Sequence, residues 1–146
     1  VKKVFVSGRF SHKSQIATLE RDLAVTLEQY ALHGAHLYMI QQPPIQPLSD
    51  YGQLYARLKQ SNNLTESGLR AYALTKQAQL DEQAAVDRVV AKFQRHPHFT
   101  YIRLDESMCD QAVCMFGTVH ELFYTDANHL AYNYAKRLAP LFHKYL

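Results

Sequence analysis

Val1-Lys2-Lys3-Val4-Phe5-Val6-Ser7, a helical pattern from Ser14 to His33, Gly34, and then Ala35-His36-Leu37-Tyr38-Met39-Ile40: this opening decides the fold. Its first and last pieces are apolar runs of strand length, the first rich in β-branched residues, and both read as buried strands. Between them Ile16, Leu19, Leu23, Leu27 and Tyr30 recur at intervals of three and four, which places them on one face of a helix capped near Ser14. Gly34 ends the pattern, because glycine takes the left-handed backbone that closes a helix at little cost. Strand, helix and strand in so short a span make a parallel βαβ unit, whose crossover is right-handed.

Beyond Ile40, Pro43 and Pro44 forbid regular pairing. Residues 41–63 read as a long loop with one helical turn around Gln53 to Leu58, and loops after the carboxyl end of a parallel strand are where α/β folds keep their sites. Residues 65–95 contain no proline and predict a long helix, broken near Gln79 to Asp81, with a buried stripe of Leu80, Ala84, Val86, Val90 and Phe93. Pro97 stops it, and Phe99 to Leu104 predicts a third strand. Residues 109–124 are irregular, with Met115-Phe116 and Leu122-Phe123 flanking Gly117 as a short hairpin. A last helix is expected from about Ala127 through Leu130, Tyr134 and Leu138 until Pro140.

The order of elements is that of an α/β layered sheet in one domain, residues 1–146, with no repeat, low-complexity tract or linker. Three strands make a narrow sheet with open edges, and the chain begins inside a strand, so the C-terminal part of a larger α/β domain, or an unusually small one, is expected. The 47% apolar and 20% charged composition suits a globular protein. The net charge of +3 is scattered, with no basic run longer than Lys2-Lys3, which argues against nucleic acid as a partner. No apolar segment approaches the ~20 residues of a membrane span, and no signal-peptide pattern opens the chain.

The chemistry is concentrated in Tyr124-Thr125-Asp126-Ala127-Asn128-His129-Leu130. At the mouth of a helix, positions three apart face the same way, so Asp126 can accept a hydrogen bond from one ring nitrogen of His129 and leave the other free as a base. Asp126 is equally a good helix N-cap, with His129 an ordinary surface residue. Two cysteines, Cys109 and Cys114, lie five apart. The spacing is not that of a zinc knuckle, and a local disulfide fits it better, which implies an oxidising compartment; two free thiols in a cytosolic protein are the other reading. His33 and His36, like His96 and His98, sit at helix ends where a cation suits the dipole, and no metal or cofactor is expected.

Cys109 and Cys114, the Tyr124 to Leu130 segment and the terminal helix together resemble the end of an SGNH-hydrolase domain. The closer likeness is to the extracytoplasmic SGNH domain fused to acyltransferase-3 membrane proteins, which O-acylate bacterial surface polysaccharides. Val4 to Ser11 is similar to the strand that ends in a small residue, Arg and an aromatic in that branch, and Gly34 with Leu37 to Ile40 and Pro43-Pro44 matches the next block. The resemblance implies a three-layer α/β/α domain with a parallel sheet, of the SGNH or flavodoxin-like kind. It implies O-acyl transfer, of acetyl above all, to or from a surface polysaccharide such as lipopolysaccharide, with Asp126 and His129 as catalytic partners of a serine. It also implies an upstream membrane acyltransferase domain, a glycan acceptor and a location on the periplasmic or extracytoplasmic face of the inner membrane.

Two departures stand out. The Gly-Asp-Ser nucleophile block and its strand are absent and would precede Val1, since neither Ser7 nor Ser11 fits it. No Gly-x-Asn follows the first strand; Ser7-Gly8-Arg9 stands there, leaving the Gly8 amide or the Arg9 guanidinium as candidate oxyanion or substrate donors. Arg9 either contacts such an oxygen or pairs with an acidic residue. Tyr38, Tyr51, Tyr55 and Tyr124 offer sugar-stacking faces, although packing is the better reading for most. A rival from another class is a non-catalytic carbohydrate-binding or interaction module on the same fold. A flavodoxin-like signalling domain is disfavoured by the lack of an acidic phosphoacceptor cluster or a Gly-rich phosphate loop.

Overall fold

The structure is a computed structural model that describes residues 2–146, so the expected first residue of the opening strand, Val1, lies outside the described residues. In chain order the elements are β1 (Lys2–Ser7), α1 (Lys13–Leu32), β2 (Ala35–Ile40), α2 (Tyr51–Gln60), α3 (Glu66–Arg70), β3 (Leu74–Thr75), α4 (Lys76–Phe93), β4 (Phe99–Ile102), α5 (Asp105–Met108), β5 (Val113–Cys114), α6 (Tyr132–Leu138) and α7 (Pro140–His143). They gather into two compact units. One is built from the chain up to Gln42 with Leu80–Ser107, the other from Pro43–Gln79 with Met108–Leu146.

The first unit is a parallel sheet in the order β1-β2-β4, as the βαβ reading requires. Gly34 has φ 62°, and its amide closes α1 on Ala31 O at 3.0 Å. Val4 pairs with Leu37, and Leu37 with Phe99, so Val4, Val6, Leu37, Met39, Phe99 and Tyr101 share one face. Leu19, Leu23 and Leu27 of α1 and Val86 and Val90 of α4 pack on that face to form the core. Both helices lie there because the strands add in chain order, and successive right-handed crossovers then fall on one side. At the carboxyl ends of β2 and β4, Gln41 Oε1 accepts the Leu104 and Asp105 amides at 2.8 and 2.9 Å, and Arg103 grips buried Asp105 with two hydrogen bonds of 3.0 and 2.7 Å.

The expectation that the opening strand is buried is corrected. Among the described residues nothing pairs with the outer side of β1, and Lys3, Phe5 and Ser7 are exposed. Phe5 stacks on Tyr38 at 4.7 Å yet keeps 36% of its surface open. The helix stripe is corrected too. Leu80 and Ala84 are exposed, and Gln79 and Gln83 are buried instead. The break between helices falls before Lys76 rather than near Gln79. Thr65 caps α3, Thr75 Oγ1 accepts the Ala78 amide at 3.1 Å to start α4, and a side chain at Gly68 would run into Asn63 O.

In the second unit the expected single turn is a ten-residue helix, α2. Asp50 caps it by accepting the Gln53 amide at 2.9 Å, and Tyr51, Leu54 and Leu58 form its buried stripe. Tyr51 packs on Phe116 with ring centroids 4.1 Å apart. The hairpin around Gly117 is present, with a Gly117–Leu122 bridge and Phe123 N–H on Phe116 O at 2.8 Å. The final helix starts at Tyr132, five residues later than expected from Ala127.

Leu27, 1% exposed at the centre of the first unit's core, is expected to cost about 2–5 kcal/mol when changed to Ala, whereas Val25→Ala on the exposed side of the same helix stays within about 0.5 kcal/mol. Urea midpoints followed by circular dichroism measure both; equal midpoints would contradict the packing described.

Candidate functional site

Because α6 begins at Tyr132, Asp126 and His129 do not stand at a helix mouth. They occupy the tip of a tight reversal. Phe123 O accepts the Ala131 amide at 2.8 Å, Tyr124 bridges Leu130, and the Thr125 amide and hydroxyl both donate to His129 O, at 2.8 and 3.2 Å. Asp126 Oδ1 caps the tip by accepting the Asn128 and His129 amides at 2.9 and 2.8 Å. This is an Asx-type turn, in which a short carboxylate substitutes for a backbone acceptor.

The second oxygen, Asp126 Oδ2, lies 2.7 Å from His129 Nδ1. The two amides, first Asn128 and later His129, and the imidazole hold the Asp126 carboxyl down to about 2. Ionised at neutral pH, it can only accept, so Nδ1 carries the proton and Nε2 presents its lone pair. The ring is 72% exposed, and among the described residues Nε2 has no hydrogen-bond partner. Chemically, this is an oriented imidazole with a free basic nitrogen backed by a carboxylate.

What fixes the reversal is the segment after Pro43. Tyr124 is buried and donates its hydroxyl to Pro44 O at 2.9 Å; burial pushes the phenol pKa up. The Gln46 amide donates to Ala127 O at 2.8 Å, while its side-chain Nε2 donates to Cys114 O at 3.0 Å and its Oε1 accepts the Leu74 amide at 3.3 Å. Gln46 therefore joins the Asp126 tip, the β3–β5 pair and the cysteine loop. Cys109 and Cys114 are disulfide-bonded, and Arg70 pairs with Asp110 inside that loop at 2.5 Å. Gln46 carries no catalytic motif in sequence; its only signal is its place in the proline-rich loop after β2.

Gly8 and Arg9 follow β1 in the first unit. Among the described residues Arg9 forms no ion pair, so of its two readings the one with an acidic partner is not found here. Their turn is held by Ser11, whose Oγ donates to Glu82 Oε1 at 2.5 Å and accepts from Gln42 Nε2 at 3.0 Å. The paired histidines serve structure. His98 Nδ1 meets Ala35 O at 2.9 Å, His36 Nε2 meets Thr100 Oγ1 at 2.8 Å, and partial burial followed by the neighbouring His98 and His96 lowers the His36 pKa. Among the described residues no group of three His, Cys, Asp or Glu side chains is placed to hold a metal ion. Of the tyrosines read as sugar-stacking candidates, Tyr51 and Tyr124 are core, Tyr55 donates to Val119 O, and Tyr38 is half-buried under Phe5.

A family model described as the SGNH domain, fused to AT3 domains, matches residues 1–144 of the 146. The chain belongs to the SGNH domain family. No curated protein and no solved structure matches it. The SGNH domain family is of hydrolase or esterase type, and its fusion to acyltransferase-3 domains points to acyl chemistry and a membrane-protein context. Among its described residues no helix is long and apolar enough to cross a membrane. The parallel sheet agrees with the mixed α/β, SGNH- or flavodoxin-like fold that the sequence resemblance implied, although α1 and α4 both lie on one face of it rather than on two.

Two outcomes are expected at the site. The Asp126 carboxyl, followed by NMR, titrates near 2 instead of its ordinary 3.8, so the turn keeps its hydrogen bonds above pH 3.8 and loses them as the pH falls through about 2; an unshifted titration would contradict the two-sided capping. Tyr124→Phe leaves Pro44 O without its donor and costs about 1–3 kcal/mol, read from urea unfolding.

Proposed function

We propose that this SGNH domain takes part in O-acyl transfer, of acetyl in particular, to or from a cell-surface polysaccharide, with His129 as general base and Asp126 as the group that orients it. The observation that carries the reading is the Asp126 Oδ2 to His129 Nδ1 contact of 2.7 Å, with Nε2 facing solvent, in a chain of the SGNH family. The nucleophile is a serine of the parent polypeptide outside residues 1–146. Among the described residues no strand pairs with the outer side of β1, and this edge, with exposed Phe5 and an apolar groove lined by Val6, Phe10, Leu19 and Leu23 beside it, supports a further strand adding to the sheet.

In the first step the serine oxygen attacks the acyl carbonyl, His129 Nε2 takes the hydroxyl proton, and the departing alcohol leaves with that proton. The acceptor hydroxyl then attacks the acyl-serine, gives its proton to Nε2, and serine is released with the proton returned. Asp126, ionised throughout, keeps the Nδ1–H tautomer and stabilises the imidazolium. From the resemblance alone, Gly8 N–H and the Arg9 guanidinium are proposed as donors to an acyl or carbohydrate oxygen. The disulfide fits an oxidising, extracytoplasmic setting.

In the full-length parent protein, His129→Ala is expected to lower hydrolysis of para-nitrophenyl acetate by at least about 10²- to 10⁴-fold with an unchanged urea midpoint, and Asp126→Asn by a similar factor. A fluorophosphonate probe should label a serine outside residues 1–146. Activity retained by His129→Ala, or labelling of Ser7 or Ser11, would overturn the assignment; tight polysaccharide binding with no ester hydrolysis would instead make this a non-catalytic carbohydrate module.

A further inference from the structure

We infer that Tyr132 is the ring on which a pyranose of the carbohydrate acceptor stacks, a reading that rests on the acyl-transfer function proposed above. The tyrosines first considered for that role are packed or tied down. Tyr132 is 74% exposed, opens α6 and follows His129 by three residues. An aromatic ring this open leaves apolar area in water that burial against a ligand would recover, at roughly 25 cal/mol per Å².

The mount beneath the ring is rigid. Ala131 N–H is held by Phe123 O at 2.8 Å, immediately before the helix. Tyr134, two residues on, stacks on Phe123 with centroids 3.9 Å apart and planes 13° from parallel, and Arg137 lies over both rings while pairing with Glu121 at 2.5 Å. The same Phe123–Ala131 hydrogen bond closes the reversal that carries His129, so ring and imidazole share one backbone frame.

The chemistry that fits is carbohydrate. A pyranose offers a patch of C–H groups to an aromatic face and hydroxyls around its rim, and tyrosine supplies apolar area with a polar tip at low entropic cost. Lys136, one helical turn on, holds its Nζ over one face of the Tyr132 ring, 5.4 Å from the centroid, so the sugar is expected to stack on the opposite face. The Tyr132 hydroxyl, at the edge of the ring, is available to the sugar's rim.

The test measures binding of the polysaccharide purified from the surface of the cells that make the protein, using the full-length parent protein and co-sedimentation. Tyr132→Ala should weaken binding about tenfold and Tyr132→Phe should stay within about twofold of wild type. Both are repeated in the His129→Ala background, where the same ratios are expected because binding needs no turnover. Wild-type binding by Tyr132→Ala, or no binding by the wild-type protein, would overturn the inference. The function proposed above fails separately, through ester hydrolysis that survives His129→Ala.

Discussion

Both oxygens of one carboxylate are committed, and the candidate site depends on that. Asp126 Oδ1 closes the reversal by accepting two backbone amides, which leaves Oδ2 pointed at the imidazole it must orient. A side chain that both shapes the backbone and sets a tautomer leaves His129 little freedom, although neither group is buried. Preorganisation here comes from hydrogen bonds in sequence-local backbone. The wider unit supplies the anchors: Tyr124 on Pro44 O and the Gln46 amide on Ala127 O tie the tip to a segment about eighty positions away in the chain.

The parallel sheet is built by a different logic. Alternation along β2 sends Leu37 and Met39 to the face covered by α1 and α4 and sends His36 and Tyr38 to the other. Because β1, β2 and β4 add in chain order, α1 and α4 crowd one side, and among the described residues nothing pairs with the outer side of β1. That edge is a liability for an isolated sheet and an opportunity for a further strand.

How much could be read from sequence follows from which signals are local. Gly34 and the alternation in Ala35 to Ile40 are local, and α1 and β2 emerge close to their expected bounds. Asp126 followed by His129 is also local, so the contact between them was legible, but an Asp that caps a helix and an Asp that closes an Asx turn look the same in sequence. That is why the last helix was expected too early. The burial of Gln79 and Gln83 was not legible, since periodicity assigns buried positions to apolar residues, and neighbouring Leu80 drew the stripe off phase. Helix α2 was hidden by Gly52 and three nearby prolines, although Asp50, Tyr51, Leu54 and Leu58 carried its cap and its stripe. Gln46 was beyond reach because its importance lies entirely in distant partners.

The most direct measurement of the central claim is the ring nitrogen spectrum of His129, read by long-range proton–nitrogen correlation in the neutral imidazole. The structure requires the proton on Nδ1, coupled to Asp126, with Nε2 carrying the lone pair. A ring protonated on Nε2, or one whose tautomer is unaffected by Asp126→Asn, would contradict it.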